Sequence, residues 1–101
     1  MSVDPTLGYN KAFDNVLRLR IMSILMVNEY FDFSSFKDLL QVTDGNLASH
    51  LKHLESSGYV SMEKSFVGRK PLTQYQASEA GKEAFRAHLK FLEDLIQSNK
   101  N

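Results

Sequence analysis

Five polar side chains, Asn46, Ser49, His50, Lys52 and His53, share one short stretch with Leu47, Leu51 and Leu54. The leucines recur at intervals of four and three, which sets them on one face of a helix. Asn46, Ser49, Lys52 and His53, with Ser56, then fall on the opposite face, and His50 falls on the flank. These side chains are hydrogen-bond donors and acceptors of short to moderate reach, and only Lys52 carries a fixed charge. A face of that kind fits a major groove about 12 Å wide, where base edges are read by hydrogen bonds. A helix face that is merely solvated more often carries Glu and Lys in i,i+4 pairs. Here the acids, Asp44 and Glu55, sit near the ends. Every amphipathic helix has a polar face, however, so the reading depends on what lies beside it.

Beside it lies a second group, Lys64, Arg69 and Lys70, gathered around a turn that contains Gly68. Cations on such a turn can lie along a phosphate backbone and gain affinity by releasing counterions. Arg69 could instead enter a narrow minor groove, drawn by its negative potential. The plainer alternative is a hairpin tip kept from edge-to-edge association by its charges.

Other chemistries find little support. His50 and His53 stand at i,i+3 and could begin a zinc site, but His88 is far along the chain and there is no Cys, so no metal or other cofactor is expected. Titration of His50 or His53 near neutral pH could tune affinity for an anionic partner. The chain has no glycine-rich phosphate loop, nucleophile elbow or paired acids in a motif, so no enzymatic activity is expected. The absence of Cys also removes disulfides and thiolate chemistry and suits a reducing compartment. No apolar run approaches the roughly 20 residues of a membrane span. Met1-Ser2-Val3-Asp4-Pro5 lacks the charged and apolar regions of a secretion signal, and a soluble cytoplasmic protein is expected. Twelve Lys and Arg balance twelve Asp and Glu. Zero net charge argues against nucleic-acid binding, yet salt screens beyond about 8–10 Å, so a local basic face can still act on a neutral molecule.

The elements that would position these groups follow from periodicity. The 101 residues suit one domain, residues 1–101. A long, heavily buried helix is expected over about 10–28, with Phe13, Leu17, Ile21, Ile24 and Leu25 at helical spacing. Val16, Met22 and Val27 widen this stripe, and Arg18 and Arg20 lie off its centre. Tyr30-Phe31-Asp32-Phe33 could form a brief strand. Ser34 or Ser35 would then cap a short helix with Phe36, Leu39 and Leu40 inward. Thr43 or Asp44 would cap the next helix, about 44–57, and Gly58 would end it. Residues 59–66 and 72–77 alternate as two strands around a turn at Gly68-Arg69-Lys70-Pro71, giving a wing at about 66–73. A last helix, about 78–97, starts at Ser78. The fold class is mainly α with a small β-hairpin, and the element order is that of a winged helix-turn-helix.

The last helix carries Phe85, Leu89, Leu92 and Ile96, with intervals of four, three and four that resemble a coiled-coil seam. It is expected to be a dimerisation arm, although it could pack back on its own first helix. A homodimer would present two reading helices about one DNA turn apart. A small apolar effector could occupy a pocket between the first and last helices at that interface.

Residues 43–60, Thr-Asp-Gly-Asn-Leu-Ala-Ser-His-Leu-Lys-His-Leu-Glu-Ser-Ser-Gly-Tyr-Val, closely resemble the recognition-helix segment of small stand-alone winged helix domains related to the MarR, ArsR and PadR regulators. Residues 66–75, Phe-Val-Gly-Arg-Lys-Pro-Leu-Thr-Gln-Tyr, resemble the wing of that family, and Ser78-Glu79-Ala80-Gly81-Lys82 resembles the opening of its last helix. The resemblance spans about 13–92. It implies a dimeric bacterial or archaeal transcription factor that binds double-stranded DNA, with Asn46, Ser49, His50, Lys52 and His53 at recognition-helix positions and Arg69 and Lys70 at wing positions. Ala48 replaces a frequent Ser and Leu72 a frequent basic residue, so phosphate contacts there are expected to be missing. The cysteine metal sensor of the ArsR type is absent. The competing expectation, kept open by the zero net charge, is a winged helix that binds protein partners without touching DNA.

Overall fold

The computed structural model describes residues 8–100. Near its start, Asn10 caps a 3-10 turn, Lys11–Phe13. Asn15 then caps a new helix, α1 (Val16–Val27), its side-chain oxygen accepting the N–H groups of Leu17 and Arg18. The single helix expected from residue 10 is therefore two elements. Asn side chains compete for nearby backbone N–H groups, which favours caps over helix interiors, and two of them five residues apart break the run. Leu17, Ile21, Met22 and Leu25 of α1 are buried, whereas Val16 and Val27 are exposed.

The brief strand is β1 (Phe31–Asp32). Asp32 both ends it and caps α2 (Phe33–Leu40), accepting from the Ser35 N–H at 3.1 Å and from its hydroxyl at 2.7 Å. The cap is thus Asp32, not Ser34 or Ser35, because an acid at that place meets both a free N–H and the positive end of the helix. Phe36 and Leu40 face inward, but Leu39, also expected inward, is exposed. Gln41 closes α2 in the left-handed region (φ 55°), its N–H returning to the Lys37 carbonyl.

Thr43 caps α3 (Asp44–Ser56), its hydroxyl accepting the Asn46 N–H. Leu47, Leu51 and Leu54 are almost wholly buried, which fixes the roll of α3 about its axis. At its end Gly58 takes φ 78°. The Tyr59 N–H returns to the Leu54 carbonyl and the Gly58 N–H to that of Glu55, which is a Schellman closure and needs the glycine at that place.

Strands β2 (Val60–Val67) and β3 (Lys70–Ala77) pair antiparallel around a two-residue loop, Gly68-Arg69. The turn expected over four residues is therefore shorter, and Lys70 and Pro71 already belong to β3. Of the two loop residues only Gly68 has positive φ, 65°, the pattern of a type II′ hairpin. The short β1 adds to β3 at Tyr75 and Gln74, giving a three-stranded sheet in the order β1-β3-β2.

Ser78 caps α4 (Glu79–Ser98) and joins it to the end of α3. Its N–H donates to the Tyr59 carbonyl, its hydroxyl donates to the Gly58 carbonyl at 2.6 Å, and the same hydroxyl oxygen accepts the Gly81 N–H. Gly81, inside α4, lies so close to Tyr59 that a Cβ there would meet its carbonyl carbon and Cα at 2.9 Å. The base of α4 packs on the core through Gly81, Phe85 and His88. No helix among the described residues is long and apolar enough to cross a membrane.

His88 illustrates how the core constrains titration. It is buried, its Nδ1 accepts the Asn10 N–H at 3.1 Å, and Tyr9 and Phe13 pack on its ring. Burial lowers its pKa, with Asp14 acting weakly the other way. The folded chain therefore takes up this proton less readily than the unfolded chain, and the stability linked to neutral His88 is present above about pH 6.5 and lost as pH falls below it. Thermal unfolding from pH 8 to pH 5 should show a falling Tm below about pH 6.5. In His88→Gln, whose amide oxygen can accept the same N–H, that fall should be smaller.

Candidate nucleic-acid interface

With Leu47, Leu51 and Leu54 anchored in the core, α3 turns Asn46, Ser49, Lys52 and His53 to solvent, and all four are exposed. Asn46, His50 and His53 follow one another at i, i+4 and i+7 along one edge of this face, and Lys52 lies on the other. His50 is half-buried, in agreement with its flank position, and its Nδ1 lies 3.0 Å from Nη1 of Arg18 on α1. Burial, then the Arg18 charge, then His53 lower the His50 pKa, so the ring is held neutral. Asp44, at the entry to α3, would repel phosphate, but Lys37 on α2 pairs with it at 2.7 Å.

In the wing, Arg69 occupies the loop and Lys70 the first position of β3. Lys64 does not join them. Val67 pairs with Lys70 and Lys64 with Thr73, and successive side chains alternate between sheet faces. Lys64 therefore lies on the face opposite Lys70, the face that carries Val60, Met62 and Tyr75 over the helices. Near the tip, Phe66 and Val67 are 73% and 66% exposed. Pro71 pairs with Phe66, one step from the loop-closing pair. There its missing N–H would point away from β2, to an edge that β1 does not reach.

The zero net charge leaves several cations outside ion pairs. Among the described residues the ion pairs are Lys37–Asp44, Lys82–Glu79 and Lys90–Asp94. Lys52, Lys64, Arg69 and Lys70 stand outside them. No group of three or more His, Cys, Asp or Glu among the described residues is placed to hold a metal ion.

Of the four α4 positions expected in a dimer seam, Phe85 is elsewhere. It is 4% exposed and meets Phe13 edge to face at 5.3 Å inside its own core. The coiled-coil spacing is real but shared, because the base of the helix faces its own core and only the later turns are free. Leu89, Leu92 and Ile96 are exposed, with Leu95 between them.

Arg18 is the residue the sequence did not single out for this surface. Its Nε donates to the Ala12 carbonyl at 2.6 Å and its Nη2 approaches the Lys11 carbonyl at 3.4 Å. The only sequence signal was its position beside the apolar stripe of α1. Its partner on α3 is 32 residues away, and nothing local announces that contact.

Residues 17–96 match the winged helix DNA-binding domain family. An uncharacterised protein of Methanocaldococcus jannaschii is 35% identical over 91 residues, which cover 90% of this chain and 96% of the relative. The structure of a transcriptional regulator homologue from Pyrococcus horikoshii superposes with a TM-score of 0.83 at 30% identity, covering 91% of each chain. A MarR-family regulator from Enterococcus faecalis shares the fold, with a TM-score of 0.72 at 20% identity over 87% of this chain and 78% of that one. Helix-turn-helix, hairpin wing and relatives agree, and the chain belongs to the winged helix DNA-binding domain family.

Proposed function

We propose that the protein binds double-stranded DNA sequence-specifically as a homodimer and regulates transcription, with α3 in the major groove and the wing on the flanking backbone or minor groove. The observation that carries this reading is the pairing of two surfaces. The face of α3 bearing Asn46, Ser49, Lys52 and His53 is exposed and carries no Asp or Glu, and it adjoins a hairpin whose tip cations, Arg69 and Lys70, make no ion pair among the described residues. Asn46 suits the N6–H and N7 edge of adenine, and Lys52 suits the O6 and N7 of guanine.

Titration of a labelled duplex of about 30 base pairs across a salt series tests the reading. Binding in the micromolar range or tighter, weakening steeply with salt, is expected. Selection from a random library should return a two-fold symmetric site with half-site centres about 10 base pairs apart. Absence of binding near 50 mM salt would overturn the proposal. The exposed Phe66 and Val67 at the wing tip would then favour a protein-binding role for the same face.

The exposed stripe Leu89, Leu92, Leu95 and Ile96 supports the dimer. Leu92→Asp with Ile96→Asp should convert the protein to a monomer in sedimentation equilibrium while leaving its Tm largely unchanged, since both side chains are outside the core. Native protein sedimenting as a monomer at the concentrations where it binds DNA would remove this part of the reading.

A further inference from the structure

We propose that Arg18 is a positioning residue for base reading, holding His50 as the Nε2–H tautomer so that the ring offers one fixed donor to an acceptor on a base edge. The proposal rests on α3 being the helix that enters the major groove, and it goes beyond that reading by assigning a role to a residue outside α3. A guanidinium has five N–H donors and no acceptor. At the 3.0 Å contact between Nη1 and His50 Nδ1, Arg18 can only donate and Nδ1 can only accept. An accepting Nδ1 carries no proton, so a neutral ring bears its proton on Nε2.

The guanidinium is itself fixed. Nε is tied to the Ala12 carbonyl and Nη2 approaches that of Lys11. The turn supplying those carbonyls is held by Asn10, whose Nδ2 donates to the Tyr59 hydroxyl at 2.8 Å and whose backbone N–H donates to His88. The residue that aims His50 is therefore anchored to the core rather than to the surface of α3. Of the charged and titratable groups, Arg18 on α1 and His53 one turn along α3 face the ring, and both disfavour its cation.

An unrestrained histidine on a helix surface exchanges between two tautomers and a cation near neutral pH, and so accepts or donates according to its partner. A ring fixed as Nε2–H donates only. In the major groove it is satisfied by the N7 of a purine, the O6 of guanine or the O4 of thymine, and it is opposed by the amino group of cytosine. His50 thus rejects cytosine at the position it meets, and Arg18 is the origin of that rejection.

Two measurements on the intact protein test this. The first is the long-range proton–nitrogen NMR spectrum of the histidine rings. Native His50 should show a protonated Nε2 and a bare Nδ1 at neutral pH, and Arg18→Met should show a tautomer mixture that protonates at higher pH. The second is affinity for the selected site with each base in turn at the position that His50→Ala renders indifferent. Native protein should lose about tenfold on cytosine, whereas a folded Arg18→Met should lose less than about twofold, with an unchanged salt slope. Arg18→Lys, whose ammonium can still donate to Nδ1, should restore part of the preference. A purely bracing role for Arg18 would lower Tm and affinity on all four bases alike. A native His50 found as the Nδ1–H tautomer overturns the proposal without any variant. So does a base preference that survives in Arg18→Met. Failure of the native protein to bind any duplex would overturn the groove reading and this role with it.

Discussion

Arg69→Ala with Lys70→Ala is expected to weaken binding to a duplex of about 30 base pairs at least tenfold near 50 mM salt. Each phosphate left without its cation should take about 0.9 from the slope of log affinity against log salt, so the double variant should be shallower by up to about 2. The size of the effect follows from where the charges sit. Both residues are exposed at the tip, and neither is in an ion pair among the described residues. Among the described residues, no ion-pair partner has to be given up when a phosphate arrives. For the same reason the variant should fold normally, since exposed side chains away from caps and cores usually change stability by less than about 0.5 kcal/mol. Lys64→Ala should reduce the slope less than either tip change, because strand alternation turns Lys64 to the other face of the wing. A slope unchanged in the double variant would mean that the wing tip meets no phosphate.

The difference between Lys64 and the tip pair shows where sequence reading was strong and where it was not. Local signals were decisive wherever a residue acts on neighbours within a turn or two. The spacing of Leu47, Leu51 and Leu54 set the roll of α3, Gly58 closed it and Ser78 opened α4, each signalled within a few residues, and of the two caps the sequence offered for α3 the one used is Thr43. The face bearing Asn46, Ser49, Lys52 and His53 followed from that periodicity alone. Clustering in sequence did not guarantee clustering in space, however. Lys64, Arg69 and Lys70 read as one group until the register of β2 on β3 divided them. Phe85 fitted the seam by interval, but its burial depends on Phe13, whose place is set by a 3-10 turn that the apolar stripe of the first helix concealed. The contact between Arg18 and His50 is of the same kind. It needs α1, the turn before it and α3 all in place, so no window of sequence contains it.

Gly81→Ala tests the joint between the end of α3 and the base of α4, and here two principles predict opposite signs. Inside a helix, alanine is favoured over glycine by about 1 kcal/mol, so propensity alone predicts a more stable protein. The packing predicts the reverse. The new methyl would overlap the Tyr59 carbonyl, and that carbonyl cannot easily move. The Tyr59 N–H is held by the Leu54 carbonyl, its oxygen accepts the Ser78 N–H, and Gly58 before it is committed to the closure of α3. Overfilling a close contact of this kind costs about 1–3 kcal/mol, and occasionally more. Because backbone meets backbone here, the upper part of that range should apply, leaving a net loss of about 2 kcal/mol. For a domain of this size that is a fall in Tm of roughly 10 °C, measurable by circular dichroism. Gly45→Ala is the control. Gly45 lies in the first turn of α3 with nothing within 4 Å of its would-be Cβ, so propensity should act unopposed and raise the Tm by a few degrees. If both variants gain stability, α4 does not need its close approach to Tyr59. If Gly81→Ala falls while Gly45→Ala rises, that approach sets how α4 is held against the end of α3, and so where a dimer formed through α4 would place its two α3 helices.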